Sequence, residues 1–224
     1  LKIKAGIFTN LSHDHLDYHK NMKDYFQSKL ILFKNILEQN STVITDTDIK
    51  QYKNIKKLQI RKKLKILTIG SKSNILQVLN HKIFENFQLL EIMYKKKIFK
   101  LKVNLYGSIQ IKNLLMAILA AKACGLKISK IFKNIEKIKS VKGRLELIKI
   151  LPNQSKIFLD YAHTPDALKN AILSIQEHYK KKITLIFGCG GDRDKSKRKL
   201  MGKIAKRYCD KIYITDDNPR SENP

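Results

Sequence analysis

The stretch ITLIFGCGGDRDKSKRKLMGKIAKRYCDKIYITDDNPR (183–220) decides the fold. An apolar run breaks at a glycine-rich polar loop, a helical segment covers 196–208, and a second apolar run, KIYI, ends in TDDNPR. Strand, helix, strand over this length is a crossover unit, because parallel neighbours cannot be joined by a tight turn. Upstream, KIFLD (156–160) adds another strand and 165–178 another helix, so the second half predicts a parallel sheet covered on both faces.

The first half reads differently. AGIFTNL is a buried strand ending in the polar loop SHDHLDYHKN (12–21), and a helix is expected over 22–37, where Tyr25, Phe26, Leu30 and Phe33 recur at helical spacing. STVIT (41–45) and KLKILTIG (63–70) are short strands, and the runs flanking KKK between 87 and 106 predict a hairpin without the usual Gly or Asn-Gly turn. NLLMAILAAKACG (113–125) is an apolar helix stopped at Gly125, and Ser129 is placed to cap a second helix over 129–138. The rhythm changes near Lys142, which predicts domains over 1–142 and 143–224.

Composition narrows the classes. With 224 residues and 43% hydrophobic content the chain is long enough for real cores. A formal charge of +27 invites a nucleic-acid reading, yet Lys supplies 40 of the 46 basic residues and is spread along the chain without a fixed spacing. Arg, whose planar fork suits bases and phosphates, is scarce, so no nucleic-acid partner is expected and a basic nucleic-acid-binding protein is the rival reading. Three cysteines without CxxC spacing indicate neither a disulfide framework nor a zinc site, and fit a reducing, cytoplasmic setting. No apolar run approaches the roughly 18 residues of a membrane span.

Three polar clusters follow strand ends in the second half: DYAHTPD (160–166), GCGGDRDK (188–195) and TDDNPR (215–220). In an open parallel sheet such ends converge on one crevice, where ligands bind. Taken alone, Asp160 and His163 read equally as a capped turn entering a helix at Pro165. GCGGDRDK matches neither GxGxxG nor the Walker pattern. His13, Asp14, His15, Asp17 and His19 form either a metal site or a polar loop, and Lys29 faces the apolar side of the helix that follows.

Together TNLSHDHLDYHKNMKDYFQSK, Asn113 in IKNLLMAILAA, GRLE, DYAHTPDAL, FGCGGDRDKSKRKLMGKIA and TDDNPRSENP resemble the Mur ligases, in order and over nearly the whole chain. The resemblance implies an α/β fold: part of the Mur ligase central domain, with a mixed sheet and helices, then part of a Rossmann-like C-terminal domain. It also implies a monomeric ATP-dependent amide ligase of peptidoglycan precursor synthesis, with UDP-MurNAc-L-Ala-D-Glu, ATP and meso-diaminopimelate as substrates and Mg²⁺ as cofactor. By motif position, His15 would ligate Mg²⁺ and Lys29 would be carbamylated. Asn113, Arg144, Asp160 and His163 would bind ATP; Arg193, Asp217, Asn218, Pro219 and Arg220 would bind the amino acid. The phosphate-binding loop and the UDP-binding domain would precede Leu1, and the amino-acid site would continue past Pro224, so residues 1–224 alone are expected to be inert. Thr45, Asp46 and Thr47 stand where the family often reads NxD, and Gln110 where an asparagine is common. Other superfamily ligases, of the folylpolyglutamate or cyanophycin synthetase type, are the alternative, although their amino-acid loop is not expected to read DNPR.

Overall fold

The computed structural model describes residues 2–16, 18–73 and 75–223. Two compact units divide the chain: Leu1–Leu11 with Phe26–Lys139, and Ser12–Tyr25 with Ser140–Pro224.

In the first unit, strands β1 (Ala5–Phe8), β2 (Thr42–Asp46) and β3 (Lys65–Ile69) form a parallel sheet with β2 in the middle. Successive side chains of a strand point to opposite faces, and β2 uses both. Val43 packs on one side with Phe8, Phe26, Phe33 and Ile55, while Ile44 packs on the other with Leu114, Leu115 and Ile118. Helices α1 (Met22–Ile31), continued by a π-helical stretch over Leu32–Ile36, and α2 (Tyr52–Arg61) supply the first layer. Helix α3 (Ser108–Ala123) supplies the second and crosses all three strands. Its apolar content explains the choice, since a helix with buried Ile111, Leu114, Leu115, Met116, Ile118 and Leu119 requires a sheet to cover.

An antiparallel meander adjoins this core: β4 (Leu76–Ile83), β5 (Gln88–Tyr94) and β6 (Lys97–Val103). The expected hairpin is β5–β6, in register from Gln88 opposite Val103 to Tyr94 opposite Lys97. Lys95 and Lys96 both take positive φ, 50° and 61°, so two lysines adopt the primed turn that usually calls for Asn-Gly. Strand β4 and helix α2 were not legible in the sequence. Helix α4 (Ile128–Lys133) and a 3₁₀ turn (Ile135–Lys137) occupy the second expected helix, but its N-cap is Lys127, so Ser129 lies inside the helix and caps nothing.

In the second unit, β7 (Glu146–Ile150) pairs antiparallel with β8 (Lys156–Leu159), while β9 (Thr184–Phe187) pairs parallel with β10 (Lys211–Ile214). Helices α5 (Pro165–Tyr179) and α6 (Ser196–Tyr208) pack on each other and on Leu185 and Phe187 through Leu168, Ile172 and Met201. Thr164 caps α5 by accepting the Ala167 N–H at 3.2 Å, with Pro165 at the first helical position. The β9–α6–β10 crossover is thus present. Among the described residues no ladder bonds join β8 to β9, and β8 pairs with β7. Among the described residues the helices cover one face: Ile186 and its ladder partner Tyr213, on the face away from Leu185 and Phe187, are exposed.

Candidate functional site

The glycine-rich loop after β9 and the DNPR loop after β10 are built against each other. Thr215 N–H donates to the Phe187 carbonyl at 3.1 Å, extending the ladder, and Gly191 N–H donates to the Asn218 carbonyl at 3.1 Å. A Cβ at Gly191 would overlap the Pro219 carbonyl, so only glycine allows this approach. One amino group of Arg220 donates back to the Gly191 carbonyl. Asn218 and Arg220 lie in the left-handed region, at φ 43° and 54°. Asp217, Asn218 and Arg220 are exposed, and Pro219 is half-buried beneath them. Arg193 is exposed on the facing loop between Asp192 and Asp194. The five residues expected at an amino-acid site therefore stand on two interlocked loops.

A second group forms around the start of β7 and the end of β8. Asp160 accepts the Leu145 N–H at 2.9 Å, and burial pushes its carboxyl above the ordinary range, although the Leu145 N–H and the Arg144 charge pull the other way. Arg144 lies over the Tyr161 ring, 4.9 Å from its centre, and Tyr161 N–H donates to the Gly143 carbonyl at 2.8 Å. A guanidinium stacked on an exposed aromatic ring presents a flat, cationic surface of the kind that planar anionic ligands favour. His163 Nδ1 is 3.0 Å from the Tyr161 carbonyl, and its Nε2 is 3.5 Å from Asp14.

Segment 12–25 completes this group. Asp14 lies between His163 and His15, whose Nε2 is 3.3 Å away, and His15 itself takes positive φ, 54°. His13 Nε2 is 3.1 Å from Asp194, linking the segment to the glycine-rich loop. Asp194 also accepts the Ser196 hydroxyl and N–H, at 2.5 and 2.9 Å, and the Ser196 and His13 contacts hold its carboxyl below the ordinary range. Asp17 lies outside the described residues. Among those described, no three His, Cys, Asp or Glu side chains form a metal-holding group.

The first unit holds the other two expected residues. Asn113 is exposed on α3, with its amide 3.4 Å from Gln110 Oε1. Lys29 is half-buried on α1, between the buried Phe26 and Leu30. At the end of β2, Asp46 is 1% exposed and accepts Lys112 Nζ at 2.7 Å, with Lys112 adjoining Asn113 in sequence. Burial works against the neighbouring Asp48 carboxylate, but Ser71 hydroxyl and N–H bonds prevail and keep its pKa low. Neither this knot nor Asp14, Asp192, Asp194 and Glu222 was singled out by sequence reasoning as a set of contacts. Only the acidic character of the loops hinted at them, since their partners are remote in the chain.

Comparison with known proteins follows this division. The Mur ligase middle domain matches residues 1–121, and the Mur ligase glutamate ligase domain matches 143–224. The chain belongs to the Mur ligase family. This Mur ligase chain is 39% identical over 225 residues to the UDP-N-acetylmuramoyl-L-alanyl-D-glutamate--2,6-diaminopimelate ligase of Rickettsia typhi, covering 100% of this chain and 45% of that protein. It is 37% identical to the ligase of the same name from Chelativorans sp., with 100% and 46% covered. A solved ligase of that name superposes with a TM-score of 0.67 at 28% identity, over 99% of this chain and 45% of the other. MurF from Acinetobacter baumannii shares the fold with a TM-score of 0.79 at 16% identity, over 94% and 47%. The Mur ligase chain thus spans about half the length of the curated relatives it matches. Among the described residues, no helix is long and apolar enough to cross a membrane.

Proposed function

We propose that this chain forms the nucleotide-side and amino-acid-side parts of an ATP-dependent ligase that adds meso-diaminopimelate to UDP-MurNAc-L-Ala-D-Glu. The reading is supported by whole-chain identity to ligases of that name and, above all, by the DNPR loop seated on the glycine-rich loop, with the Arg220 guanidinium held at the Gly191 carbonyl. In the reaction, the γ-phosphoryl group passes from ATP to the glutamate carboxylate and ADP leaves. The amine of the incoming amino acid then attacks the acyl phosphate, phosphate departs, and the amine loses a proton as the amide forms. Phosphates and carboxylates repel one another, so rate depends on positioning and charge control.

The residues divide that work. Arg144, stacked on Tyr161, with Asp160 and His163, holds the nucleotide, and Asn113 contacts its base. Arg193, Asp217, Asn218 and Arg220 receive the amino acid, with Pro219 shaping the loop. Arg220 is the selectivity element, because a guanidinium pairs with the distal carboxylate of diaminopimelate and repels the ammonium that ends a lysine side chain.

His15 and Asp14 provide an imidazole and a carboxylate side by side. That donor pair fits a Mg²⁺ ion that draws its other ligands from water and phosphate, rather than an all-protein cage. Mg²⁺ would offset the charge of the phosphates, and half-buried Lys29, as a carbamate, would supply the anion that helps place a second metal. The chain's own residues orient and neutralise the substrates.

The test is amine selectivity of the intact protein with UDP-MurNAc-L-Ala-D-Glu and ATP. Phosphate release should depend on meso-diaminopimelate, and Arg220→Ala should weaken its use most. Equal or better use of L-lysine would overturn the assignment of substrate.

A further inference from the structure

Two non-glycine residues in left-handed conformation, Asn218 and Arg220, do not hold a loop in place unaided, because that region is unfavourable for L-residues. Something outside the 217–220 run must fix them. Two carboxylates do so, neither of them in the amino-acid set. Asp192, at the tip of the glycine-rich loop, accepts the Ser221 hydroxyl at 2.7 Å on each carboxylate oxygen and the Ser221 N–H at 3.1 Å. Asp192 returns its own N–H to Glu222 Oε1 at 2.8 Å. Glu222 receives Arg198 Nη2 on both oxygens, at 2.9 and 2.8 Å, and lies 3.5 Å from Lys195 Nζ. Its N–H donates to the Pro219 carbonyl at 3.1 Å.

The chain of contacts therefore runs from Arg198 on α6, through Glu222, to the Asp192 backbone, and back from the Asp192 carboxylate to Ser221. It brackets Arg220 from the residue that follows it, while the Gly191 carbonyl holds the guanidinium itself. Both carboxylates have their lone pairs engaged by donors of this chain. Neither is left as a bare charge for an incoming ammonium, so their role differs from that of Asp217 beside them. A helix is a firmer support than a loop, and Arg198 carries that firmness to the DNPR backbone.

We infer that Asp192 and Glu222 are positioning residues which latch the DNPR loop to α6 and set the orientation of Arg220 for the distal carboxylate of the amino-acid substrate. This rests on the amino-acid reading of the loop proposed above. The latch acts before substrate arrives: the ordering of 218–222 is borne by the free protein, which leaves less to be ordered on binding.

The experiment uses the intact protein with Asp192→Asn, Glu222→Gln and Arg220→Ala, each checked for an unchanged circular dichroism spectrum. Two readouts are taken: amide hydrogen exchange over 217–222, and KM for meso-diaminopimelate against KM for ATP. Asp192→Asn and Glu222→Gln should each speed exchange over 218–222 and raise KM for the amino acid by about tenfold, as expected when a binding group is misplaced without being removed. KM for ATP should stay within about twofold. Adding Asp192→Asn to Arg220→Ala should cost little more than Arg220→Ala alone, because both act through one guanidinium. Unchanged exchange in both variants overturns the latch. Faster exchange with an unchanged amino-acid KM, or equal rises in both KM values, overturns the positioning role. If Arg220→Ala itself leaves the amino-acid KM unchanged, the amino-acid reading fails and the positioning role fails with it, a result distinct from the other two.

Discussion

Strands β2 (TVITD) and β10 (KIYI) are both apolar runs in parallel ladders, yet β2 is buried at all five residues and β10 is exposed at all four. The difference lies in their neighbours. β2 has a strand on each side and a helical layer on each face, whereas among the described residues β10 pairs with β9 alone and the helices of its unit cover one face only. An apolar run thus encodes a strand, while its cover is encoded elsewhere. The polar ends of the two strands diverge in the same way. Asp46 is sealed under Lys112 and serves the architecture; Asp217, Asn218 and Arg220 stand in the open and are held in place by other residues.

Core truncation breaks this comparison most directly. Ile44→Ala should cost about 4 kcal/mol in urea denaturation of the 224-residue chain, since Ile44 is fully buried between the sheet and α3. Ile214→Ala should stay within about 0.5 kcal/mol, because Ile214 is 77% exposed. A comparable loss at Ile214 would mean that some further segment or partner covers this residue.

The next largest effect belongs to the sealed carboxylate. Lys112→Met leaves Asp46 in the interior without its cation, and removing one partner of a buried pair costs several kcal/mol. Lys112 is itself 47% exposed, so water replaces part of the lost interaction and a loss of about 2 kcal/mol is expected by the same denaturation measurement. Asp46→Asn, which keeps the shape and removes the charge, should cost less than Lys112→Met. The reverse order would place the strength of this corner in the hydrogen bond from Asp48 N–H to Asp46, at 2.8 Å, rather than in the ion pair.

What the sequence disclosed follows the same logic. Helix α6 was legible to its last residue, and β9 and β10 nearly so, because apolar runs bracketed by glycine and polar loops leave little choice. Strand β4 (LQVLNHKI) was not, as its polar residues and a bulge between Val78 and Asn80 blur the period of two. The Lys95–Lys96 turn carries no turn residues at all, and the long antiparallel register of β5 and β6 imposes it. At the site, the DNPR and GDRD residues were legible as motifs. The contacts that join them were not: His13 meets Asp194 across 181 residues, and Arg198 meets Glu222 across 24, separations at which no local pattern operates. The antiparallel partner of β8, β7, had not been read as a strand either.

The smallest expected effect separates the two groups of the second unit by pH. Ser221 hydrogen bonds hold the Asp192 carboxyl below the ordinary carboxylate range, and the Arg198 bond does the same for Glu222. For groups whose folded pKa is lowered, the contribution to stability is complete above the unfolded value and disappears as pH falls through the folded one. Asp160 runs the other way, because burial raises its pKa: its contribution is present below the unfolded value and is lost as pH rises through the raised folded value. On acidification from neutral pH, Asp160 should therefore take up its proton before Asp192, which starts from the same ordinary value, while Glu222 should titrate below an ordinary glutamate. Carboxyl carbon NMR titration of the three residues reads this order directly. Protonation of Asp192 ahead of Asp160 would mean that the Ser221 contacts are too loose to set the carboxylate, and that the open strand end lacks the fixed geometry that distinguishes it from a free loop.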